Sequence, residues 1–274
     1  MSSLLKDKII LITGGAQGIG LECVKEYVKQ GAFVSILDKN RILLEEILNK
    51  IGSSHLGICC DVSKGIEVEN AIQKTLDHFG KLDAIHNNAG IANPAKALHE
   101  TSDLEWEEVM NVNLKSIFLT TKYGLDALKK SCGCILNTSS MVAEIGQQNH
   151  AAYTATKGAI NSLTKSMALD YASFRIRVNA VAPAGVWTPM LHQWNNEQEY
   201  PDKMKIYLEE IHVLGYCPNG DVVADVCTFL ISDMARFVTG CIMPVTGGAE
   251  LGYRIVQKEN ADKKNLEIEN ILDK

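Results

Sequence analysis

Ile9-Ile10-Leu11-Ile12-Thr13-Gly14-Gly15-Ala16-Gln17-Gly18-Ile19-Gly20 is the stretch whose reading decides the fold. Its first four residues are a continuous apolar run, the mark of a parallel strand buried on both faces. The glycines after it predict a tight turn, and Leu21 to Gln30 predicts a helix that stops at Gly31. In that order the turn brings backbone close to a diphosphate, and the helix start offers free N–H groups and a positive dipole end. A Gly-rich turn is often only a turn, but a strand before it and a helix after it make it informative. The candidate contacts here are Gly14, Gln17, Gly18, Ile19 and Gly20.

The same alternation continues outward. Phe33 to Leu37 is a second apolar run ending at Asp38, about 20 residues past the glycines, where a carboxylate can accept hydrogen bonds from a ribose diol. The plainer alternative, that Asp38 caps a helix expected over Lys39 to Lys50, carries less weight given the preceding glycine turn, and the two roles are compatible. Gly57 to Cys60 delivers Asp61-Val62, and Leu82 to His86 delivers Asn87-Asn88-Ala89-Gly90. A long helix is expected over Leu104 to Lys130, with Asn113 marking a break because asparagine amides compete for backbone groups. Further strands are expected over Cys134 to Leu136, Ile176 to Pro183 and Gly240 to Val245, with helices over Ala151 to Tyr171 and Asp221 to Asp233. Strands alternating with helices predict an α/β fold, a single doubly wound parallel sheet of Rossmann type with helices on both faces. One domain is expected over residues 1–253, followed by a charged tail at 254–274.

Within that frame, Ser140 closes a buried strand, and Tyr153 and Lys157 stand four residues apart on one helix face. An ammonium beside a phenol favours the phenolate, and a nearby hydroxyl can hold a carbonyl oxygen. These are the parts of a proton-transfer site for alcohols and ketones. Tyr-x-x-x-Lys alone is common by chance, so the spacing gains weight only from the Gly-rich unit at the other end of the chain.

Composition narrows the class. With 46% hydrophobic and 22% charged residues, the 274-residue chain has the make-up of a soluble protein with a core. A formal net charge of -6 and no basic cluster argue against a nucleic-acid partner. No apolar run reaches the roughly 18 residues of a membrane span. The eight cysteines include no pair spaced like a zinc motif: Cys59-Cys60 are adjacent, and Cys132 and Cys134 are separated by one residue. No metal is expected from them, and a reducing, cytoplasmic setting is.

Taken together, Thr13-Gly-x-x-x-Gly18-x-Gly20, Asp61-Val62, Asn87-Asn88-Ala89-Gly90, Asn113, Ser140 and Tyr153-x-x-x-Lys157 resemble the short-chain dehydrogenase/reductase family over about residues 6 to 253. The resemblance implies Tyr153 as acid/base, Lys157 as its activator and a ribose ligand, Ser140 as partner of the substrate oxygen, and Asn113 as holder of a relay water. It also implies a nicotinamide dinucleotide, and a homotetramer built partly on the helices of Asn113 and Tyr153. Asp61, Val62, Asn88, Ala89 and Gly90 join the expected cofactor contacts, as do Val186 and Thr188 near the carboxamide. Two departures stand out: Pro183-Ala184 replaces the usual Pro-Gly, and Thr246-Gly247-Gly248 replaces Asp-Gly-Gly. The ending Val245 to Tyr253, the Trp187-Thr188-Pro189 step and the Gly146-Gln147 pair resemble a narrower group, that of 17β-hydroxysteroid dehydrogenase type 14 and the L-fucose dehydrogenases.

The leading expectation is an NAD-dependent oxidoreductase acting on a secondary alcohol: a sugar, a cyclic alcohol or a steroid. An NADP-dependent carbonyl reductase is disfavoured because Asp38 would repel a 2′-phosphate. A non-catalytic dinucleotide sensor is disfavoured by the intact Asn113, Ser140, Tyr153 and Lys157. The segment 186–218 interrupts the alternation, is too long for a plain loop, and is expected to cover the substrate. Ser140, Gln147, Tyr153, Trp187, Met190 and Trp194 are the expected substrate contacts, with His192, Gln148 and His150 as further polar candidates.

Overall fold

The computed structural model describes residues 3–252, so the tail expected at 254–274 lies outside the described residues. The first half runs β1 (Ile9–Thr13), α1 (Gly18–Lys29), β2 (Phe33–Asp38), α2 (Arg41–Ile51), β3 (Leu56–Cys59), α3 (Gly65–Phe79) and β4 (Ala84–Asn87). The second runs α4 (Asp103–Met110), α5 (Ser116–Ser131), β5 (Cys134–Thr138), α6 (Val142–Ile145), α7 (Ala151–Asp170) and β6 (Arg177–Pro183). It ends with α8 (Pro189–Asn196), α9 (Pro201–Glu210), α10 (Asp221–Ile231) and β7 (Ile242–Val245). The seven strands form one sheet in the order β3-β2-β1-β4-β5-β6-β7, every pair parallel.

The unbroken apolar runs are explained by burial on both sheet faces. Successive strand residues point to opposite sides. Ile10 and Ile12 pack with Val24 of α1, Leu44 of α2 and Leu230 of α10, whereas Ile9 and Leu11 pack with Ile72 of α3, Leu128 of α5 and Ile160 of α7. Each fully buried isoleucine or leucine contributes about 1.5–3 kcal/mol. The chain winds outward from β1 in both directions, so the order reverses between β1 and β4, and a crevice opens at their C-terminal ends.

Three expectations change in detail. Helix α2 begins at Arg41, and its cap is Asn40, whose side chain accepts from the Leu43 N–H at 3.1 Å. Asp38 is therefore no helix cap; it is still within β2 and turns back toward β1. The helix expected over Leu104 to Lys130 is two helices joined by a π-helical turn, Asn111–Lys115, with Asn113 at its centre. Segment 186–218 holds α8 and α9, each started by a proline in its first turn, where a missing N–H costs nothing. All eight cysteines are free thiols, and no helix among the described residues is long and apolar enough to cross a membrane.

Candidate active site

The turn after β1 closes only with glycine. Gly14 has φ +63°, and a Cβ there would lie 2.8 Å from Ala89 Cα; at Gly20 it would lie 2.1 Å from the Gly14 carbonyl oxygen. Helix α1 then starts at Gly18 with no side-chain cap and no acidic residue in its first turn. Its first N–H groups thus stay uncovered by the protein's own side chains, an arrangement that fits the phosphates of a dinucleotide. Asp38 is buried and spans the turn: one carboxylate oxygen accepts from the Ala16 N–H and the other from the Asn40 N–H, both at 3.0 Å. Each oxygen retains lone-pair capacity for a diol.

The loop after β4 is tied to the same turn. Thr13 Oγ1 accepts from the N–H groups of Asn88 and Ala89, both at 3.0 Å, and the Asn88 amide donates to the carbonyls of Thr13 and Gly14 at 3.2 and 3.0 Å. Asp61 sits after β3 beside buried Val62. Burial would raise its carboxyl, but hydrogen bonds from Ser63 and the Lys64 ammonium hold it below the usual value.

Asn113 clamps that loop from the other side. Its Oδ1 accepts from the Ile91 N–H at 2.8 Å, and its Nδ2 donates to the Ile91 carbonyl at 2.9 Å and Thr156 Oγ1 at 3.1 Å. Both ends of the amide are thus engaged by protein partners, in the loop after β4 and on α7. A Cβ on Gly90 would lie 3.4 Å from Asn113 Oδ1 and 3.7 Å from Lys157 Nζ, which places all three residues around one spot.

Lys157 is buried on α7, donates to the Thr138 carbonyl at 2.7 Å, and lies 5.5 Å from the Tyr153 ring centroid. Burial lowers its amine to about 8, which leaves it protonated at neutral pH. Burial pushes the Tyr153 phenol up, and the Ser140 hydroxyl pulls it the other way. Ser140, Tyr153 and Lys157 thus meet at the C-terminal end of β5, next to the glycine turn.

The family model described as enoyl-(acyl carrier protein) reductase, a branch of the short-chain dehydrogenases/reductases, matches residues 14–250. L-fucose dehydrogenase of Bos taurus is 36% identical over 255 residues, covering 92% of this chain and 93% of that protein. The chain is a short-chain dehydrogenase/reductase. Cyclopentanol dehydrogenase of Comamonas testosteroni is 36% identical to this dehydrogenase/reductase over 249 residues, covering 89% of it and 97% of the relative. Among solved structures, a 3-ketoacyl-(acyl-carrier-protein) reductase from Brucella melitensis complexed with NADH superposes with a TM-score of 0.84 at 31% identity, covering 90% and 99% of the two chains. The ligand-free aldohexose dehydrogenase of Thermoplasma acidophilum gives 0.85 at 29% identity, covering 94% and 99%.

In this dehydrogenase/reductase the expected substrate contacts are less gathered. Val186 is buried, and Thr188 lies over the glycine turn, its methyl 3.4 Å from a Cβ built on Gly18. The Thr188 hydroxyl also caps α8, accepting from the Leu191 N–H at 3.2 Å. Trp187 stacks on His192 at 4.7 Å between centroids and is pinned by its N–H to the Pro218 carbonyl at 2.8 Å. Trp194 is half-buried, while Met190, Gln147 and Gln148 are exposed. His150 is buried, its ring 6.5 Å from that of Tyr153 and held by the Gln148 carbonyl at 2.9 Å. The sequence motifs include Thr13 but give no anchoring role to it, to Thr138 or to Thr156, which hold Ala89, Lys157 and Asn113. The signal available was a threonine ending an apolar strand, as Thr13 and Thr138 do.

Proposed function

We propose that this dehydrogenase/reductase is NAD-dependent and moves a hydride between the nicotinamide and a cyclic secondary alcohol or its ketone, with Tyr153 as acid/base. The observation that carries it is the meeting of Tyr153, Ser140 and a charged, buried Lys157 beside the dinucleotide-shaped turn that Asp38 closes. When bound, the nicotinamide supplies the hydride acceptor or donor. In the oxidative direction Tyr153 Oη takes the hydroxyl proton while Ser140 Oγ holds the substrate oxygen. Ionising a phenol from its usual pKa near 10 at neutral pH requires roughly 4 kcal/mol of preferential stabilisation. The Lys157 ammonium contributes to it in a site with little water. Asn113 keeps the 88–91 loop against α7, so these groups stay in register.

Asp38 favours NAD over NADP, since its carboxylate would face the 2′-phosphate of the latter. The relatives' names supply the substrate class: L-fucose and cyclopentanol are both cyclic secondary alcohols. A homotetramer in the cytoplasm is part of the proposal; an open groove lined by Met110, Leu114, Phe118 and Leu163, between α4–α5 and α7, supports a helical contact between copies. Light scattering at micromolar concentration checks it, and a monomer mass rejects it.

The function is tested by fluorescence titration with NADH and NADPH, then turnover on sugars, polyols, cyclic alcohols and steroids. Tighter NADH binding and NAD-linked oxidation of a cyclic alcohol are expected. NADPH preference would favour a carbonyl reductase, and NADH binding without turnover on any alcohol would favour a sensor.

A further inference from the structure

Beneath the glycine turn lies a cluster that alcohol oxidation does not use. Cys23 of α1, His86 of β4 and Cys227 of α10 are buried without solvent contact, and a ligand atom from each lies within 4.8 Å of the others. Tyr27, one helical turn after Cys23, is buried beside them with its hydroxyl 3.0 Å from His86 Nδ1.

Proton positions follow from groups that can only accept. The carbonyls of Thr13 and Gly14 take both contacts of the Asn88 amide nitrogen, which leaves Asn88 Oδ1 facing Thr138 at 3.4 Å. Thr138 Oγ1 donates there, and so accepts from His86 Nε2 at 3.0 Å. His86 is thereby protonated on Nε2, and Nδ1 carries the ring's available lone pair. A histidine fixed in this way by its far nitrogen is how metal-ligating imidazoles are held.

Two sulfurs and an imidazole form a set suited to zinc rather than to magnesium or calcium, which take oxygen ligands. Zn–S of about 2.3 Å and Zn–N of about 2.0–2.1 Å imply ligand separations of about 3.6–3.8 Å in a tetrahedron, so ligand atoms that lie within 4.8 Å of one another draw together by about 1.2 Å at most. Both thiols lose their protons to solvent as the two Zn–S bonds form, and two thiolates balance one divalent cation, so no net charge is buried. We propose that Cys23, His86 Nδ1 and Cys227 bind a zinc ion, with the Tyr27 oxygen as fourth donor. The ion clamps α1 and α10 to β4 directly under the dinucleotide turn. Neither closely spaced cysteine pair of the sequence takes part; the ligands come from three distant elements.

The test uses the full chain without a polyhistidine tag, grown in zinc- or cobalt-supplemented medium and purified under reductant. About one zinc per chain by mass spectrometry, and thiolate-to-cobalt charge-transfer absorption in the cobalt form, are expected. Cys227→Ala should lose both and Cys59→Ala neither. The cobalt spectrum needs no variant, so a misfolded Cys227→Ala leaves the test intact. Less than about a tenth of an equivalent of zinc, no charge-transfer band, or equal metal in Cys227→Ala overturns the site. A chain lighter by two hydrogens, with a Cys23–Cys227 cross-linked peptide, overturns it in favour of a disulfide.

Discussion

The glycine-turn side and the α8 side of the active site are built by opposite means. On the first, side chains hold backbone: Thr13, Asn88 and Asn113 each make two or more hydrogen bonds across loops that are distant in sequence, and Asp38 ties the Ala16 N–H of the glycine turn to the end of β2. On the second, Gln147, Gln148 and Met190 stand exposed, and Trp187 is steadied chiefly by its stack on His192 and one backbone bond. Hydride and proton transfer tolerate little misplacement, since an error near 1 Å can cost about 10²-fold. Recognition of one alcohol among many places no such demand on the fold. The difference teaches that the loops around the glycine turn are cross-braced by buried side chains, while the side chains expected to meet the substrate are not.

The sharpest way to break this division is to remove one atom from the rigid side. Tyr153→Phe is expected to lose about 10²–10⁴-fold in turnover, the usual contribution of a general acid/base. NADH affinity should stay close to the parent's, because only the proton-transfer hydroxyl goes. Steady-state rates beside a fluorescence titration decide it; retention of most activity would falsify the role of Tyr153.

Next in size is Asp38→Ala. Like charges about 4 Å apart at an effective dielectric of about 20 repel by about 4 kcal/mol, an upper value for a site open to water. The preference for NADH over NADPH, measured as a ratio of dissociation constants, should collapse toward parity. Equal binding of the two by the parent would already show that the carboxylate does not select.

The sequence revealed the rigid side well and the other poorly, for physical reasons. An apolar run buried on both faces, a turn that closes only with glycine and an acid at a strand end all leave local marks, and each lies where expected. Even the break at Asn113 was legible, because asparagine is a poor resident of a helix interior. Long-range partners were not: Lys157 meets the Thr138 carbonyl, and Asn113 meets Ile91, through contacts no local pattern encodes. The cap at Asn40 was missed because Asp38 and Asn40 are both good cap residues, and only the register of β2 decides between them. Gln147 was a candidate through the family resemblance and Met190 through its place in the segment after β6, and their exposure could not be read from neighbours in the chain.

A third substitution separates function from stability on the rigid side. Folding takes the Lys157 amine from its usual 10.5 to about 8, so between those values the unfolded chain binds a proton that the folded chain lacks. Stability contributed by this residue therefore rises with pH across that window, and the full penalty, roughly 3 kcal/mol, applies below pH 8. Lys157→Met is expected to be inactive yet more stable than the parent at pH 7, less what the lost bond to Thr138 contributed. Its advantage should fade as pH climbs toward 10.5. Urea unfolding at pH 7 and 9.5 reads this, and a variant less stable at both values would mean that the hydrogen bond outweighs desolvation.

The smallest effects are expected on the α8 side, and they sharpen the contrast by sign rather than size. Gln147 and Trp194, expected substrate contacts from different segments, differ in kind: one is exposed and amide-bearing, the other half-buried and aromatic. A sugar depends on hydrogen bonds, and one lost from a buried position costs about 1–3 kcal/mol, toward the lower end where water can substitute. A steroid depends on apolar area, about 25 cal/mol per Å² removed from water. Gln147→Ala should therefore lower kcat/KM for a sugar more than Trp194→Ala does, and the order should invert for a steroid. Neither change should alter NADH affinity, because neither residue is among the expected dinucleotide contacts. If both variants keep the parent's kcat/KM on every active alcohol, α8 does not cover the substrate. A loss of NADH affinity in either would instead mean that the two sides are not independent, and the division itself would fail.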